Sequence, residues 1–219
     1  MVADDSAFDD VDDVFGDIGG AIGDPFEIAR GRFILGPADA GDGHPHAKDI
    51  TDKLGITKGA FYWHFKSKDE LLLTIIDKYQ NEFLERLYAH MEAFEGTFMK
   101  KFREYHKYIN EYAREHSELC VLFVTLAAEM AGSRTMAERR IKRVHEQYRS
   151  FIESLLTLGK REGLFEADHD VTLNAHIIIA VHSGILLQWY MNRRELDGPS
   201  MARAYRDMIL YGMVAKDTP

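Results

Sequence analysis

From residue 67 onward, apolar side chains recur at intervals of three and four residues, the spacing that places them on one face of an α-helix. Gly96, Gly132 and Gly163 interrupt this pattern, and glycine is a common helix terminator. The sequence lacks runs that alternate apolar and polar residues as half-buried strands do. We therefore predict an all-α fold with six helices in this part of the chain. They cover about 67–94, 98–112, 119–131, 137–158, 168–195 and 199–214.

A helix-turn-helix pattern precedes these six helices. Residues 47–54 carry apolar side chains at helical spacing, and Gly55 follows, which adopts a left-handed cap conformation without steric cost. A second helix then runs from Thr57 to Phe65 and leaves its outer face polar. The segment Ser67-Lys68-Asp69-Glu70 forms a capping box that starts the next helix at once. Two helices joined by a glycine turn are the arrangement of a DNA-reading unit.

The charge distribution supports a nucleic-acid partner despite a formal net charge of −9. Residues 1–29 hold nine acidic and no basic residues, so they account for the whole net charge. Residues 44–68 carry five lysines against two aspartates, a basic patch of the kind that attracts DNA. We expect residues 1–23 to form a disordered acidic tail whose simplest role is solubility. One more helix is predicted over about 25–35, which brings the total to nine.

The residues of the helix-turn-helix resemble the tetracycline-repressor (TetR) family of one-component transcriptional regulators. The close resemblance covers about 25 positions, 47–72, and the rest of the chain is similar to the family in size and helical layout. It implies a DNA-binding domain over 24–72 and a larger helical domain for effector binding and dimerisation over 73–219. The matching residues are Asp49-Ile50, Leu54-Gly55-Ile56-Thr57, Gly59-Ala60-Phe61-Tyr62, His64-Phe65, Ser67-Lys68 and Glu70-Leu71-Leu72.

The expected DNA contacts follow from this helix-turn-helix. Lys58 and Trp63 lie on the outer face of the recognition helix, where lysine can donate to guanine and tryptophan can lie against thymine methyl groups. The resemblance assigns Tyr62 and His64 to phosphates, and Lys68 adds a charge at a helix start. Packing of Tyr62 and Trp63 inside the domain is the alternative. The predicted DNA-binding residues are Lys48, Thr57, Lys58, Gly59, Ala60, Tyr62, Trp63, His64 and Lys68.

The helix over 168–195 is apolar nearly all round, so it must be buried on more than one side. A membrane span is the rival interpretation, but polar residues such as His182 and Gln188 would be costly in lipid. Ala180 and Gly184 allow close helix approach, and the TetR resemblance implies that the last two helices form a four-helix bundle with a second copy. We predict a homodimer on a palindromic operator in double-stranded DNA, with no membrane partner. The predicted interface residues are Ala180, Gly184, Leu187, Met191, Tyr205, Met208 and Ile209.

The middle helices carry most of the aromatic residues. An aromatic stripe at helical spacing by itself indicates ordinary core packing. Together with the resemblance, it predicts a largely apolar effector site with polar anchors. His176 and His182 are both candidates, although a single histidine on an apolar helix is more often a hydrogen-bonded core residue. The predicted effector residues are Phe98, Phe102, Tyr105, Phe123, Tyr148, Phe151, His176 and Gln188.

The sequence contains no phosphate-binding loop, nucleophile elbow or helix-borne metal motif, so we predict neither an enzyme nor a cofactor. His44-Pro45-His46 alone is too small a ligand set for a metal site. The single Cys120 and the lack of a secretory signal favour the cytoplasm. We predict a ligand-responsive repressor that a small, largely apolar effector releases from its operator. The alternative is a helical small-molecule-binding or protein-interaction dimer with weak or no DNA binding, which the irregular loop over 36–46 would favour.

Overall fold

The computed structural model describes residues 66–166 and 168–213. Within these ranges the chain is all-α, with six helices and no strand, so the fold class predicted from the apolar pattern is confirmed. The three helices predicted before residue 66 lie outside the described residues. The first helix, α1, is α-helical over Lys68–Tyr79, π-helical over Gln80–Glu85 and α-helical again over Arg86–Glu92. The others are α2 (Phe98–Glu115), α3 (Ser117–Met130), α4 (Met136–Arg161), α5 (Val171–Met191) and α6 (Gly198–Met213).

The predicted capping box at the start of α1 is confirmed. The backbone N–H of Glu70 donates to the Ser67 hydroxyl at 3.1 Å, and the Glu70 carboxylate accepts from the backbone N–H of Lys66 at 2.5 Å. These bonds satisfy N–H groups that a helix start leaves without intrahelical partners. The predicted terminators also hold, because Gly132 and Gly163 adopt positive φ angles of 81° and 71° after α3 and α4.

The chain divides into two compact units. Among the described residues, the first unit consists of 66–78 and 122–140. Its buried residues come from the start of α1, from α3 and from the start of α4. Arg140 Nε donates to the carboxylate of Asp77 at 2.7 Å and forms an ion pair with it. The buried Glu138 is satisfied by the backbone N–H groups of Gly132 and Arg134, at 2.9 and 2.7 Å. This carboxylate therefore holds the turn between α3 and α4.

The second unit consists, among the described residues, of 79–121, 141–166 and 168–213. Its core lies on one face of α2, where five side chains at helical spacing form a stripe that is buried throughout, as the apolar pattern predicts for this helix. Glu162, just after α4, accepts from the backbone N–H of Phe98 at 3.0 Å and so caps α2. Gly159 of α4 leaves room for an aromatic ring, because a Cβ there would lie 2.5 Å from Phe165. The stripe comprises Phe98, Phe102, Tyr105, Ile109 and Tyr112.

Candidate effector site and dimer face

The aromatic core of the second unit begins with three fully buried rings of α2. The Phe98 and Phe102 ring centroids lie 5.2 Å apart, and Phe102 and Tyr105 follow at 6.1 Å. Phe165 meets Phe98 edge-on at 5.0 Å, and Phe151 of α4 lies 5.6 Å from Tyr105. Intervals of three and four residues bring the α2 rings onto one face. The result is an apolar wall that ends at a tyrosine hydroxyl.

Two tyrosine hydroxyls and a histidine form a hydrogen-bonded triangle at the end of this wall. The hydroxyl oxygens of Tyr105 and Tyr148 lie 2.6 Å apart, and both face His182 Nδ1, at 3.2 and 3.4 Å. Burial raises the pKa of Tyr105 and of Tyr148, so both hydroxyls keep their protons. The other ring nitrogen of His182, Nε2, is buried and has no hydrogen-bond partner.

His106 lies beside this triangle and is also unpartnered. Its side chain is 2 % exposed, and neither ring nitrogen makes a hydrogen bond. Its ring meets that of His182 at 5.3 Å and that of Tyr205 at 5.6 Å, both edge-on. Tyr205 closes the other side at 5.2 Å from His182, and its hydroxyl donates to the Ile178 carbonyl at 3.4 Å. The two imidazoles therefore contact each other, and both contact the ring of Tyr205.

This site is electrically neutral at physiological pH. Burial, reinforced by the nearby Arg206, lowers the pKa of His106 from 6.5 to about 3. Burial and the neighbouring His106 also hold the pKa of His182 well below its usual value. The guanidinium of Arg206 is paired with Asp207 at 2.9 Å. Both imidazoles are thus uncharged, and each provides one N–H donor and one acceptor nitrogen.

A second group of buried polar atoms lies next to the π-helical turn of α1. The Phe83 ring contacts Tyr148 edge-on at 5.4 Å and Tyr112 at 5.2 Å. Gln80 Oε1 and the Tyr112 hydroxyl are buried here without hydrogen-bond partners. The π-helical turn is therefore in direct contact with the tyrosine–histidine triangle, which connects α1 to the site. Such turns are uncommon and concentrate at functional sites.

The predicted effector residues fall into three groups. Phe98, Phe102, Tyr105, Tyr148 and Phe151 are brought together around the triangle, whereas Phe123 is buried in the first unit. The polar anchors His176 and Gln188 are exposed on the single chain. The structure places His182, the second histidine candidate on this helix, in the site instead. His106 and Tyr205 also lie there, and neither was among the predicted effector residues. The spacing contained a signal for His106, because it lies four residues after Phe102 on the buried face of α2.

The predicted DNA-binding residues other than Lys68 lie outside the described residues, and Lys68 is the first residue of α1. Those outside are Lys48, Thr57, Lys58, Gly59, Ala60, Tyr62, Trp63 and His64.

An exposed apolar stripe runs along α5. Leu173, Ile177 and Met191 are 56, 48 and 67 % exposed, and Ala180 and Gly184 between them are exposed too. These residues follow one another at intervals of three, four and seven, so they share one face of the helix. A Cβ added at Gly184 would meet nothing within 4 Å in the single chain. A large apolar face of this kind marks a surface that another molecule covers.

The residues predicted for the dimer interface are thus divided between surface and core. On α6, Met208 is 64 % exposed, whereas Tyr205 and Ile209 are buried inside the unit. On α5, Leu187 is half-buried. By length and composition alone, α5 could also cross a membrane. One such helix within the described ranges is weak evidence for a span.

The described residues form an all-α fold with an aromatic core, and comparison with known proteins identifies its family. Residues 46–75 match the family described as bacterial regulatory proteins, tetR family, and residues 76–212 match the YsiA-like protein, C-terminal region. The chain belongs to the TetR family of bacterial transcriptional regulators. The predicted ligand-responsive, DNA-binding regulator is thereby confirmed.

Three relatives show how far the similarity extends. The HTH-type transcriptional repressor KstR2 of Mycobacterium tuberculosis is 26 % identical over 93 % of this chain and 98 % of its own. The crystal structure of the MbdR regulator from Azoarcus sp. CIB has a TM-score of 0.70 and 22 % identity over 87 % of this chain and 97 % of its own. That of the regulator FadR from Bacillus subtilis, in complex with stearoyl-CoA, has a TM-score of 0.61 and 19 % identity over 86 and 99 %. At these identities, the two structures show a shared fold.

Proposed function

We propose that this chain is a homodimeric repressor whose effector binds in the second unit, around Tyr105, Tyr148, His106 and His182. The observation that carries the proposal is the set of three unpartnered imidazole nitrogens inside an aromatic core. A buried polar atom without a hydrogen bond costs about 1 to 3 kcal/mol, so a core seldom retains several of them together without a function. A ligand that enters this core would satisfy them.

The wall of phenylalanine rings favours an effector that is apolar over most of its length. From Phe98 to Tyr112, α2 presents 14 residue steps of buried apolar surface, about 21 Å at 1.5 Å per residue. Ligand sites are typically lined by aromatic and aliphatic side chains with a few polar groups that set orientation. The stearoyl-CoA complex of the related FadR, a molecule with a long apolar chain, supports this class of effector.

A second copy of the chain is the partner we propose for the exposed stripe of α5. Leu173, Ile177 and Met191 would be covered by the same face of the other protomer, and Gly184 would allow the two helices to approach closely. Burial of this stripe accounts for the length and apolarity of α5 without a membrane. The interface would also include Ala180, Leu187 and Met208, with Tyr205 and Ile209 supporting it from inside the unit.

Dimerisation would place two reading heads on one palindromic site. The family match over 46–75 includes the predicted recognition helix, and for this reason we favour a DNA-binding regulator over a DNA-independent binding protein. In this proposal residues 24–72 form the DNA-binding domain and Lys58 and Trp63 read bases, while residues 73–219 form the regulatory domain. The protein acts in the cytoplasm and catalyses no reaction.

Coupling between effector and DNA would pass through α1. An effector at Tyr148 changes the surroundings of Phe83, which lies in the π-helical turn of α1. A π-helical turn contains one more residue than an α-helical turn. When it converts to α-helix, that residue moves into the next turn, and the remainder of the helix rotates. We propose that effector binding shifts α1 between two such arrangements and so alters the spacing of the two reading heads.

The test is a DNA-binding titration on the full-length protein. Fluorescence polarisation with random duplex at several salt concentrations should show binding that weakens as salt rises, and an operator can then be selected from the random pool. Stearoyl-CoA, the ligand of the related FadR, is the first effector probe. Binding that salt does not weaken, or no binding at micromolar protein, would contradict the proposal.

A further inference from the structure

We propose that the His106–His182 pair recognises a neutral, hydrogen-bonding oxygen, a ketone or hydroxyl, on an otherwise apolar effector, and that it discriminates against carboxylates. This inference rests on the proposed effector site and names the chemistry that the site reads. The inference rests on three features of the site. They are the tautomer of His182, the hydrogen-bond donors of the two histidines that have no partner, and the neutrality of their surroundings.

The hydrogen bonds assign the tautomer of His182. The triangle contains two hydroxyl hydrogens, and Tyr105, Tyr148 and His182 Nδ1 are each other's hydrogen-bond partners. If Nδ1 accepts, one hydroxyl donates to the other and the second donates to Nδ1, so only the Nε2–H group of the ring is left without a partner. If Nδ1 carried the hydrogen, one hydroxyl hydrogen and the lone pair of Nε2 would both be left without partners in a buried place, which is more costly. His182 is therefore the Nε2–H tautomer.

This assignment leaves a specific set of unused groups. Nε2–H of His182 is a buried donor without an acceptor, and neutral His106 adds a second donor and one acceptor nitrogen, all without partners. A ketone oxygen has two lone pairs and could accept from both donors. A hydroxyl could accept from one imidazole and donate to the other. Both ligands satisfy the pair without any change in its protonation.

A carboxylate would bind poorly for an electrostatic reason. A buried negative charge needs a cation or it loses several kcal/mol of solvation. The pKa of His106 is about 3, so the pair supplies no positive charge at neutral pH. Arg206 is the nearby cation, and its guanidinium makes two hydrogen bonds to Asp207, at 2.9 and 3.0 Å. Asp207 therefore already neutralises this guanidinium, which adds little net positive charge to the site.

The experiment compares three probes of matched chain length, decan-2-one, decan-2-ol and decanoate, by calorimetric titration of full-length protein without DNA. We expect the ketone and the alcohol to bind, with decanoate at least about a hundredfold weaker. His182→Asn keeps an acceptor near the Nδ1 position for the tyrosines and removes the Nε2–H donor. We expect it to weaken ketone binding about tenfold, a factor equivalent to about 1.4 kcal/mol. His90→Asn, which replaces an exposed histidine in the same unit, is the matched control.

A second measurement does not depend on a variant that folds. Long-range ¹H–¹⁵N NMR spectra of the imidazole rings should show His182 as the neutral Nε2–H tautomer, and decan-2-one should shift the ring signals of His106 and His182. Equal affinity for decanoate and the ketone, unchanged ketone binding by His182→Asn, or an Nδ1–H tautomer would each overturn the inference.

The outcomes also separate this inference from the proposed function. If the probes bind in the expected order but the protein does not bind DNA, the recognition chemistry stands and the repressor proposal fails. If an effector releases DNA and its affinity is unaffected by His106→Asn and His182→Asn, the repressor stands and the recognition chemistry fails.

Discussion

The buried imidazole of His106 makes the stability of the fold depend on pH in a way that can be calculated. The pKa of His106 is about 3 in the folded chain and 6.5 when it is unperturbed. Below pH 6.5 the unfolded chain therefore binds a proton that the folded chain does not, and the free energy of unfolding decreases as the pH falls. The full contribution is present above pH 6.5, and it declines until the folded imidazole is protonated near pH 3.

The magnitude is about 1.4 kcal/mol for each pH unit and each histidine. Between pH 6.5 and 4.5, His106 alone should remove about 2 kcal/mol of stability. The pKa of His182 is also held well below its usual value by burial, so this residue should change the stability in the same direction. The loss from His106 alone is already a large part of the roughly 5 to 15 kcal/mol that typically stabilises a domain.

The assay is urea unfolding followed by circular dichroism between about pH 6.5 and 5, above the range in which most carboxylates titrate. His106→Phe keeps an aromatic ring among Phe102, Tyr105 and Tyr205 and removes one titrating group. It should lower the slope by about 1 kcal/mol per pH unit, the share of one histidine. His90→Asn, at an exposed position of the same unit, serves as the control for loss of a histidine.

Identical slopes for the wild type and His106→Phe would refute the reasoning. They would mean that the His106 imidazole can take up a proton in the folded state, and hence that it is not enclosed as the structure shows.

Three further predictions concern assembly and DNA. Gly184→Leu should shift the protein from dimer towards monomer without loss of helicity, because the glycine is exposed in the single chain, and a monomeric wild type in micromolar sedimentation runs would contradict the dimer. Lys68→Ala should weaken binding to all duplexes alike and lower the salt slope by about one per DNA-binding domain. Lys58→Ala should instead relax base preference at one position per half-site, at a cost of about 1 to 3 kcal/mol. A change of preferred bases in Lys68→Ala would refute the proposed docking of the recognition helix. Removal of residues 1–23 should tighten non-specific binding in polarisation assays at low salt, with the gain lost as salt rises, because screening limits exposed charges to about 8 Å at 0.15 M salt. Equal affinities at low salt would leave the tail a solubilising role alone.

The sequence by itself determined those features that depend on neighbours within one or two helical turns. The buried stripe of α2 followed from spacing alone, because a helix with one polar and one apolar face can bury only the apolar one. The Ser67–Glu70 capping box and the terminators Gly132 and Gly163 were equally readable, since a cap involves residues three or four apart.

Tertiary structure decided which sides of α5 and α6 face inward. Because α5 is apolar nearly all round, its sequence does not distinguish His182, which enters the core, from His176, which is exposed. Likewise Tyr205 and Met208, three residues apart on α6, were predicted for one interface, yet one is 6 % and the other 64 % exposed. Such orientations are set by the neighbouring helices.

The site itself depends on contacts between residues far apart in the chain. The hydrogen bonds of Tyr105 span 43 residues to Tyr148 and 77 residues to His182. The π-helical turn at Gln80–Glu85 has no counterpart in the apolar spacing, because the same residues would also suit a regular α-helix. Local pattern thus placed the aromatic wall, whereas the polar atoms at its end were brought together by the packing of α2, α4 and α5.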